Sequence, residues 1–237
     1  MLSSDGVDAV AVGALLIALR AKGETAAELA GMVRAMKRVC NPVSYGGKLL
    51  DIVGTGGDGA DTINISTAAV ILAAACGCKV AKAGNRSVSS SCGSADVLEK
   101  LGVHITLLPH QVKQCIDECG IGFLFAPINH PAMKTVAPIR KSLGVRTVFN
   151  ILGPLTNAAN ARHVLLGVFE ERLVKLMGEA LVELGEVEHA VVVHGAGGLD
   201  EISPLGPSIV MEIRNTAPLN TLPRRYDVKT YVLYLRI

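Results

Sequence analysis

The sequence has few aromatic side chains and almost no net charge. Its 237 residues include no tryptophan, and four tyrosines and four phenylalanines are spread along the chain. Lys and Arg number 23 against 21 Asp and Glu, so the formal net charge is only +2. Nucleic-acid-binding domains usually show a basic patch or a platform of stacking aromatic rings. We therefore expect a small-molecule partner and no nucleic acid.

The sequence also lacks a long apolar run, an internal repeat and a low-complexity tract. No apolar stretch approaches the ~20 residues that cross a bilayer. The first five residues include Asp5, whereas a signal or transit peptide would carry Arg or Lys there. We expect a soluble protein with no membrane partner, located in the cytoplasm, or in the plastid stroma if the native gene adds a transit peptide.

Six cysteines are present, but they do not form a metal-binding pattern. Cys76 and Cys78 lie in an apolar run, Cys115 and Cys119 lie on a predicted helix, and no paired histidines stand at ligand spacing. The sequence therefore predicts buried free thiols in a reducing compartment rather than a metal site.

The chain begins with two predicted helices. Apolar residues recur at helical spacing over 8–20, and a second helix is expected to begin at Thr25, which forms a capping box with Glu28. Two short helices cannot bury their apolar faces alone, so they must pack on another unit. We predict a partial helical domain at 1–46, an incomplete α/β domain at 47–213 and a divergent tail at 214–237.

Beyond residue 47, short β-rich runs alternate with helical ones. The β-rich runs are 49–53, 80–83, 103–107, 122–125, 147–151, 164–169 and 190–194. The helical runs are 67–76, 95–101, 111–119, 131–143 and 171–184. Such alternation predicts an α/β fold with a mainly parallel sheet. The end of the chain, 228–237, is also strand-like.

A glycine-rich segment follows the first β-rich run. Its glycines are Gly54, Gly56, Gly57 and Gly59. They let the backbone turn sharply and expose N–H groups to phosphate oxygens. The string Gly-x-Gly-x-x-Gly also fits dinucleotide-binding proteins, but Lys82 and Arg86 follow the next strand where those proteins carry a ribose-binding acid. No Gly-Lys-Ser/Thr follows, which excludes a Walker loop.

Further polar residues favour a phosphate ligand. A polar set marks the next helix start, and cations and serines follow the second strand: Thr62, Asn64, Ser66, Thr67, Lys82, Arg86, Ser87, Ser89 and Ser90. A helix N-terminus beside two cations is suited to phosphate. The alternative is a simple glycine turn, a serine-rich loop and solvated cations.

Acidic residues in the same region suggest a metal ion. Asp58 and Asp61 are compatible with phosphate if Mg²⁺ neutralises it, or if Asp58 accepts hydrogen bonds from sugar hydroxyls. Asp200 and Glu201 follow the strand 190–194, and the ends of parallel strands gather at one sheet edge. These two acids are therefore either metal ligands or solvated loop residues.

Three more residues have open roles. His130 could be a base or a helix cap. Arg140, on a predicted helix, is either a surface cation or a guanidinium that binds a substrate carboxylate through two hydrogen bonds. His194 is expected to be a structural residue at a strand end.

Seven motifs together resemble the anthranilate phosphoribosyltransferase family of tryptophan biosynthesis. They are GTGGD at 54–58, NIST at 64–67, KAGNRSVSS at 82–90, GSADVL at 93–98, HPAMK at 130–134, RTVFNILGP at 146–154 and GLDE at 198–201. The resemblance runs from about residue 8 to residue 211. It implies a fold like that of nucleoside phosphorylases and phosphoribosyltransferases, and a homodimer for the full-length family. It also implies transfer of a phosphoribosyl group from phosphoribosyl pyrophosphate to the amine of anthranilate.

The resemblance assigns roles by motif position. It implies phosphoribosyl pyrophosphate binding by Gly54, Gly57, Asp58, Thr62, Asn64, Ile65, Ser66, Thr67, Lys82, Gly84, Asn85, Arg86, Ser87, Val88, Ser89, Ser90 and Ser94. It implies Mg²⁺ binding by Ser66, Asp200 and Glu201, and anthranilate binding by Gly54, Asn85 and Arg140. It implies no catalytic nucleophile or base.

The sequence departs from the family pattern in places. Ala83 stands where many relatives have His, and similarity ends near 211–214, where members continue for about a hundred residues. We therefore expect a truncated or alternatively processed form. Two alternatives to the transferase stay open: a non-catalytic form that still binds the donor, and a pyrimidine nucleoside phosphorylase-like enzyme. The Asn85-Arg86 and 199–201 matches argue against the phosphorylase.

Overall fold

The computed structural model describes residues 8–87, 92–216 and 225–234. Within them lie helices α1 (Ala9–Lys22), α2 (Ala26–Arg38), α3 (Ile65–Ala75), α4 (Ser94–Lys100), α5 (Pro109–Cys119), α6 (Ala126–Asn129), α7 (Met133–Leu143), α8 (Phe149–Leu152) and α9 (Glu171–Leu184). The strands are β1 (Leu50–Gly54), β2 (Val80–Gly84), β3 (Ile121–Phe125), β4 (His163–Gly167), β5 (His189–Gly195), β6 (Ser208–Asn215) and β7 (Tyr226–Leu233).

The strands form one sheet in the order β3-β2-β1-β4-β5-β6-β7. The first five are parallel, and β6 and β7 continue the sheet in antiparallel fashion. Helices connect the parallel strands, which places the carboxyl ends of β1 to β5 at a common edge. The predicted fold class, a helical unit joined to a mainly parallel α/β domain, is confirmed.

The first two helices pack on the α/β part as predicted. The Asp8 side chain accepts the Val10 amide at the start of α1, and the Thr25–Glu28 capping box opens α2. Leu29 and Val33 of α2 share one hydrophobic core with Met177 of α9 and with β4, β5 and β6. Burying each such side chain contributes roughly 1.5–3 kcal/mol, so the helical unit is stabilised by the sheet layer.

Two predicted strands are absent from the structure. Residues 103–107 are irregular, because Ile105 packs beside Leu98 and Phe125 while no neighbouring strand pairs with the segment. Residues 147–151 instead lead into the short helix α8, where the Asn150 side chain accepts the Thr147 amide. A short buried apolar run does not distinguish a strand from a helix by periodicity.

The C-terminal segment forms more structure than the sequence indicated. The β6 strand was not predicted, and it pairs along its whole length with β7, from Ser208 opposite Leu233 to Asn215 opposite Tyr226. The prediction of a strand-like end is thus confirmed for β7. Val232 is 52% exposed, so β7 is an open edge of the sheet.

The cysteine prediction was partly wrong. All six thiols are free, but Cys76, Cys78, Cys92 and Cys119 are exposed, and Cys40 and Cys115 are only partly buried. The apolar run around Cys76 belongs to the C-terminal end of α3, where Ile71, Leu72, Cys76 and Cys78 are exposed. In the described ranges no helix combines the length and apolar character needed to cross a bilayer.

Candidate phosphate and metal site

Glycines end four of the five parallel strands, and three of them support an acidic loop. These three are Gly54, Gly167 and Gly195, at the carboxyl ends of β1, β4 and β5. A Cβ atom would overlap the Asp200 carboxylate at Gly54, the Asp200 carbonyl at Gly167 and the Glu201 carbonyl at Gly195. Only glycine therefore lets the segment 200–201 lie directly across the sheet edge.

The glycine-rich loop is tied to this acidic segment. The Gly56 amide donates to Asp200 Oδ2 at 2.6 Å, and the Thr55 amide donates to the Gly167 carbonyl at 3.0 Å. Gly56 and Gly57 have φ angles of 66° and 73°, in the left-handed region that glycine adopts without strain. The sequence correctly predicted a sharp turn here.

Arg146 fixes the same loop from the other side. Its guanidinium donates to the Gly57 carbonyl and lies 4.2 Å from the ring centroid of Phe169. The Arg146 carbonyl in turn accepts Arg20 Nη1 of α1 at 2.6 Å. Arg146 therefore connects the first helix to the glycine loop, a role that the sequence analysis missed although Arg146 opens one of the seven motifs.

Lys82 is a buried cation beneath the loop. It is 2% exposed, and its Nζ donates to the Ile52 carbonyl at 2.9 Å and to Ser66 Oγ at 3.3 Å. Burial lowers the pKa of Lys82, while the nearby carboxylates, Asp51 first, oppose that shift. The predicted residues Ser66 and Lys82 are thus in contact.

Asp58, Asp200 and Glu201 concentrate negative charge at this edge. Burial raises the pKa of Asp200, and the charge of Asp58 adds to that shift. Burial and the Asp200 charge raise the pKa of Glu201 to about 7, although Glu201 accepts the Ser66 backbone N–H. When burial and neighbouring acids disfavour the ionised form of a carboxylate, a nearby cation stabilises that form.

The described residues contain no group of three or more His, Cys, Asp or Glu arranged to hold a metal alone. Mg²⁺ commonly takes one or two carboxylates and completes its shell with water and substrate phosphate. Asp200, Glu201 and the Ser66 hydroxyl fit such a shared site, because their oxygens are hard ligands and burial disfavours the ionised form of both acids, which a cation would stabilise.

The start of α3 supplies several predicted residues. Asn64 precedes the helix and donates from Nδ2 to the Cys92 carbonyl at 3.0 Å. Ile65 is the first helical residue, and Thr62 is exposed in the preceding loop. Thr67 is 3% exposed, and among the described residues its hydroxyl has no hydrogen-bond partner. The positive end of the helix dipole favours an anion here.

The loop after β2 contains a second tight contact. A Cβ at Gly84 would overlap Ser94 Oγ, which donates to the Asn85 carbonyl at 3.2 Å. The Ser87 amide donates to Asp96 at 2.9 Å. Gly84, Asn85, Ser87 and Ser94 are therefore neighbours, whereas the predicted residues Val88, Ser89 and Ser90 lie outside the described residues.

Arg86 and Arg140 have different surroundings. Arg86 forms ion pairs with Asp96 and Glu99 of α4. The half-buried guanidinium of Arg140 lies 5.7 Å from the centroid of the Phe149 ring, and no described carboxylate lies within ion-pair distance of it. The charge of Arg86 is thus paired with acids of α4, whereas the charge of Arg140 has no acidic partner among the described residues.

The two histidines have structural surroundings. His130 Nε2 donates to the Thr156 carbonyl at 2.8 Å, and burial lowers the pKa of His130, which favours the neutral ring. His194 hydrogen-bonds through Nδ1 to the Val168 carbonyl at 2.8 Å, in line with its predicted position at a strand end. For His130, these contacts favour a structural role at a helix end over a role as a catalytic base.

Sequence reasoning missed Gly167 and Gly195 as parts of the site. A usable signal was present, because Gly54, Gly84, Gly167 and Gly195 all stand at the ends of apolar runs. What the sequence does not show is which loop lies across those ends.

Comparison with known proteins identifies relatives over almost the whole chain. A family described as "Glycosyl transferase family, a/b domain" matches residues 46–222, and its "helical bundle domain" matches residues 1–40. An anthranilate phosphoribosyltransferase of Roseiflexus sp. (strain RS-1) is 55% identical over 217 residues, covering 92% of this chain and 62% of the relative. That of Methanosarcina acetivorans is 55% identical over 206 residues, covering 86% and 55%.

Solved structures agree with these sequence relatives. The anthranilate phosphoribosyltransferase of Thermus thermophilus superposes with a TM-score of 0.87 at 46% identity, covering 98% of this chain and 66% of that one. The Saccharomyces cerevisiae enzyme in complex with PRPP and Mg gives a TM-score of 0.81 at 33% identity, covering 88% and 61%. The chain spans about three fifths of the length of the curated relatives it matches. It belongs to the glycosyl transferase family defined by these helical bundle and α/β domains, in which the relatives named here are anthranilate phosphoribosyltransferases.

Proposed function

We propose that this chain binds phosphoribosyl pyrophosphate with Mg²⁺ and transfers the phosphoribosyl group to the amine of anthranilate, as in tryptophan biosynthesis. The observation that carries the proposal is the convergence of the glycine loop, Ser66, Lys82, Asp200 and Glu201 at one sheet edge. Backbone donors, a cation and hard metal ligands are the groups that a diphosphate ester requires.

The donor would lie across the two glycine loops and the start of α3. This assigns donor binding to Gly54, Gly57, Asp58, Thr62, Asn64, Ile65, Ser66, Thr67, Lys82, Gly84, Asn85, Arg86, Ser87, Val88, Ser89, Ser90 and Ser94. The exposed loop around Thr62 supports contact with a ligand. For Arg86 the assignment requires release from Asp96 and Glu99.

Ser66, Asp200 and Glu201 would hold Mg²⁺. When bound, the ion would neutralise the negative charge of the pyrophosphate group as it leaves. The Saccharomyces cerevisiae relative in complex with PRPP and Mg supports this assignment. The protein's own contribution is to present two buried carboxylates whose mutual repulsion favours a cation.

Anthranilate would bind through its carboxylate at Arg140, with Gly54 and Asn85 beside it. Arg140 is on α7, which packs against α1. A Cβ atom at Gly13 of α1 would be in van der Waals contact with Ile139 and Leu143 of α7. A planar guanidinium donates two parallel hydrogen bonds to a carboxylate. The absence of an acidic partner among the described residues supports an external carboxylate there.

The chemistry needs no strong base. The neutral aromatic amine attacks C1 of the phosphoribosyl group, the bond from C1 to the pyrophosphate oxygen breaks, and the amine then loses a proton. Lys82 and the loop N–H groups would stabilise the charge that grows on the leaving group. Positioning by the rigid sheet edge would supply much of the remaining rate enhancement. The neutral, hydrogen-bonded His130 is consistent with catalysis without a histidine base.

We also infer a homodimer formed through the first helix. The α1 helix exposes apolar side chains away from its packed face, with Val10 at 79% and Leu15 at 48% exposure. Sedimentation velocity would show a concentration-dependent dimer, and Leu15→Glu should shift it to monomer. A monomer at all concentrations would contradict this inference.

The test of the proposed function is the loss of anthranilate fluorescence on addition of phosphoribosyl pyrophosphate and Mg²⁺. We expect turnover that stops with excess chelator. Calorimetric titration of the donor should be run in parallel. Donor binding without turnover would favour a non-catalytic form, and absence of both binding and turnover would refute the proposal for this chain. Phosphorolysis of thymidine would instead favour the phosphorylase-like alternative.

A further inference from the structure

The sheet opens between β1 and β2, directly below the two glycine loops. These strands pair only where Leu50 lies opposite Val80. By contrast, β1 pairs with β4 as far as Gly54 opposite Gly167, and β2 pairs with β3 as far as Gly84 opposite Phe125. The backbone groups that face the opening must find other partners, because unpaired buried N–H and C=O groups are costly.

Side chains take the place of the missing strand pairing. Asp51 accepts the Ala83 amide at 3.2 Å and Asn157 Nδ2 at 2.7 Å. The same Asn157 Nδ2 donates to the Ala81 carbonyl at 2.9 Å. Lys82 closes the set by donating to the Ile52 carbonyl at 2.9 Å. The opening is therefore filled by polar side chains that satisfy the backbone on both strands.

The Asp51–Asn157 pair is buried and is itself held in place. Asp51 is 0% exposed and Asn157 is 6% exposed, so neither side chain is accessible to a ligand. The Asn157 Oδ1 atom accepts the Ala159 amide at 2.9 Å and the Ala161 amide at 3.4 Å. This arrangement fixes the Asn157 amide so that its N–H₂ group faces Asp51 and β2.

The Asp51–Asn157 pair holds the backbone on both sides of Lys82, whose side chain reaches the site. It binds the carbonyl of Ala81 and the amide of Ala83, the two neighbours of Lys82. With both neighbours held, the backbone position from which the Lys82 side chain reaches Ser66 is held as well. Because the strands remain apart, the loops after Gly54 and Gly84 also remain separated at the edge.

We propose that Asp51 and Asn157 form a buried clamp that replaces the β1–β2 ladder, holds the two glycine loops apart and positions Lys82. Both are positioning residues, because neither reaches the ligand side of the sheet edge. The effect of the clamp on phosphoribosyl pyrophosphate rests on the proposed function, whereas its effect on the strands does not.

The experiment compares Asp51→Asn, Asn157→Asp and the double swap. In D51N the new amide N–H₂ opposes either the Asn157 N–H₂ or the Ala83 N–H, so one hydrogen bond is lost in either orientation. In N157D two carboxylates face each other. The double swap again places a donor against an acceptor within the pair. Leu181→Ala in α9 serves as the control, since Leu181 lines a small cavity together with Asn157 but makes none of the hydrogen bonds of the pair.

Two readouts are used: hydrogen exchange of the Ala83 amide, and calorimetric titration with phosphoribosyl pyrophosphate and Mg²⁺. The loss of one buried charge-assisted hydrogen bond corresponds to a change of about tenfold or more. We expect D51N to exchange the Ala83 amide faster and to bind the donor more weakly by about that factor. The double swap should recover about threefold in donor affinity, and L181A should change neither readout beyond its global loss of stability.

The clamp is refuted if D51N behaves like L181A, or if the double swap is no better than the single variants. Should D51N fail to fold, Asn157→Ser removes the N–H₂ group with less disruption and is judged by the same readouts. If the unaltered chain does not bind the donor, the proposed function fails, and the exchange of the Ala83 amide alone decides for or against the clamp.

Discussion

Arg86 and Arg140 have the same kind of aromatic contact but opposite electrostatic surroundings. Each guanidinium carbon lies 5.7 Å from a phenylalanine ring centroid, that of Phe125 for Arg86 and that of Phe149 for Arg140. Arg86 is also paired with two carboxylates, and its pKa is raised mainly by the hydrogen bond to Glu99. The pKa of Arg140 is lowered by burial, and no acid in the described ranges opposes that shift.

This difference separates a guanidinium that is already paired with acids from one that has no acidic partner among the described residues. A half-buried guanidinium without a counterion carries a desolvation cost, and a ligand carboxylate would offset it. The sequence placed both arginines among the ligand-binding residues. The structure supports that role more directly for Arg140 than for Arg86.

Lys82 differs from both arginines, because it is buried near a buried carboxylate, that of Asp51. Burial raises the pKa of Asp51 from 3.8 to about 6. The folded state therefore holds this proton more tightly than the unfolded state, and the resulting stabilisation is present below the unfolded pKa and lost as the pH rises through 6. The full change corresponds to about 3 kcal/mol.

We expect the free energy of unfolding of the unaltered chain, relative to D51N, to increase by up to that amount between pH 7.5 and pH 4. Urea unfolding at both pH values measures it. An equal difference at the two pH values would show that Asp51 does not titrate as a buried acid.

Removal of the Arg140 guanidinium should have the next largest effect. Arg140→Ala removes a charge-assisted pair, and anthranilate binding should weaken by about 2 kcal/mol, or roughly 30-fold. Donor binding should change little. Arg140→Lys keeps the charge without the planar fork and should lie between the two. Lys141→Ala, which removes an adjacent exposed cation, is the matched control. Equal weakening of both ligands would identify Arg140 as structural.

Loss of the acidic pair should alter the metal requirement. In the double variant Asp200→Asn with Glu201→Gln, the Mg²⁺ concentration for half-maximal donor binding should rise about tenfold, because charge-assisted ligands are replaced by neutral ones. Asp61→Asn removes an exposed acid from the loop between β1 and α3 and serves as the control. An unchanged magnesium titration in the double variant would contradict the metal assignment.

The smallest effect is expected at Arg86. Since its charge is already met by Asp96 and Glu99, Arg86→Ala should change donor affinity by no more than about threefold, the range of exposed ion pairs. Calorimetric titration of the donor measures this. A loss as large as that expected for Arg140→Ala with anthranilate would mean that Arg86 leaves α4 to bind phosphate, as the sequence motif suggests.

Much of the fold was predictable because helix caps and apolar periodicity are local signals. The Thr25–Glu28 capping box and the glycine turn after β1 are examples. Residues 103–107 show the limit, since a strand-like pattern forms no strand without a partner. Strand pairing depends on distant parts of the chain, and so β6 was missed as well.

The site was predictable in its residue types but not in its pairings. Lys82 and the acids Asp200 and Glu201 were singled out because they lie in or after predicted strands, and Ser66 because it lies at a predicted helix start. That Arg86 pairs with α4, and that Asp51 and Asn157 bridge an opening in the sheet, follows only from tertiary contacts. A polar residue within an apolar run, such as Asp51, is the sequence signal that could have indicated the clamp.

The central claim is that Arg140 receives the carboxylate of anthranilate. Fluorescence titration of anthranilate and of its methyl ester, with the unaltered chain and with Arg140→Ala, tests it as a double cycle without donor, so that no turnover consumes the ligand. The account predicts that the unaltered chain prefers anthranilate by about 30-fold and that the variant binds the acid and the ester about equally. A variant that keeps the full preference for the acid would contradict the account.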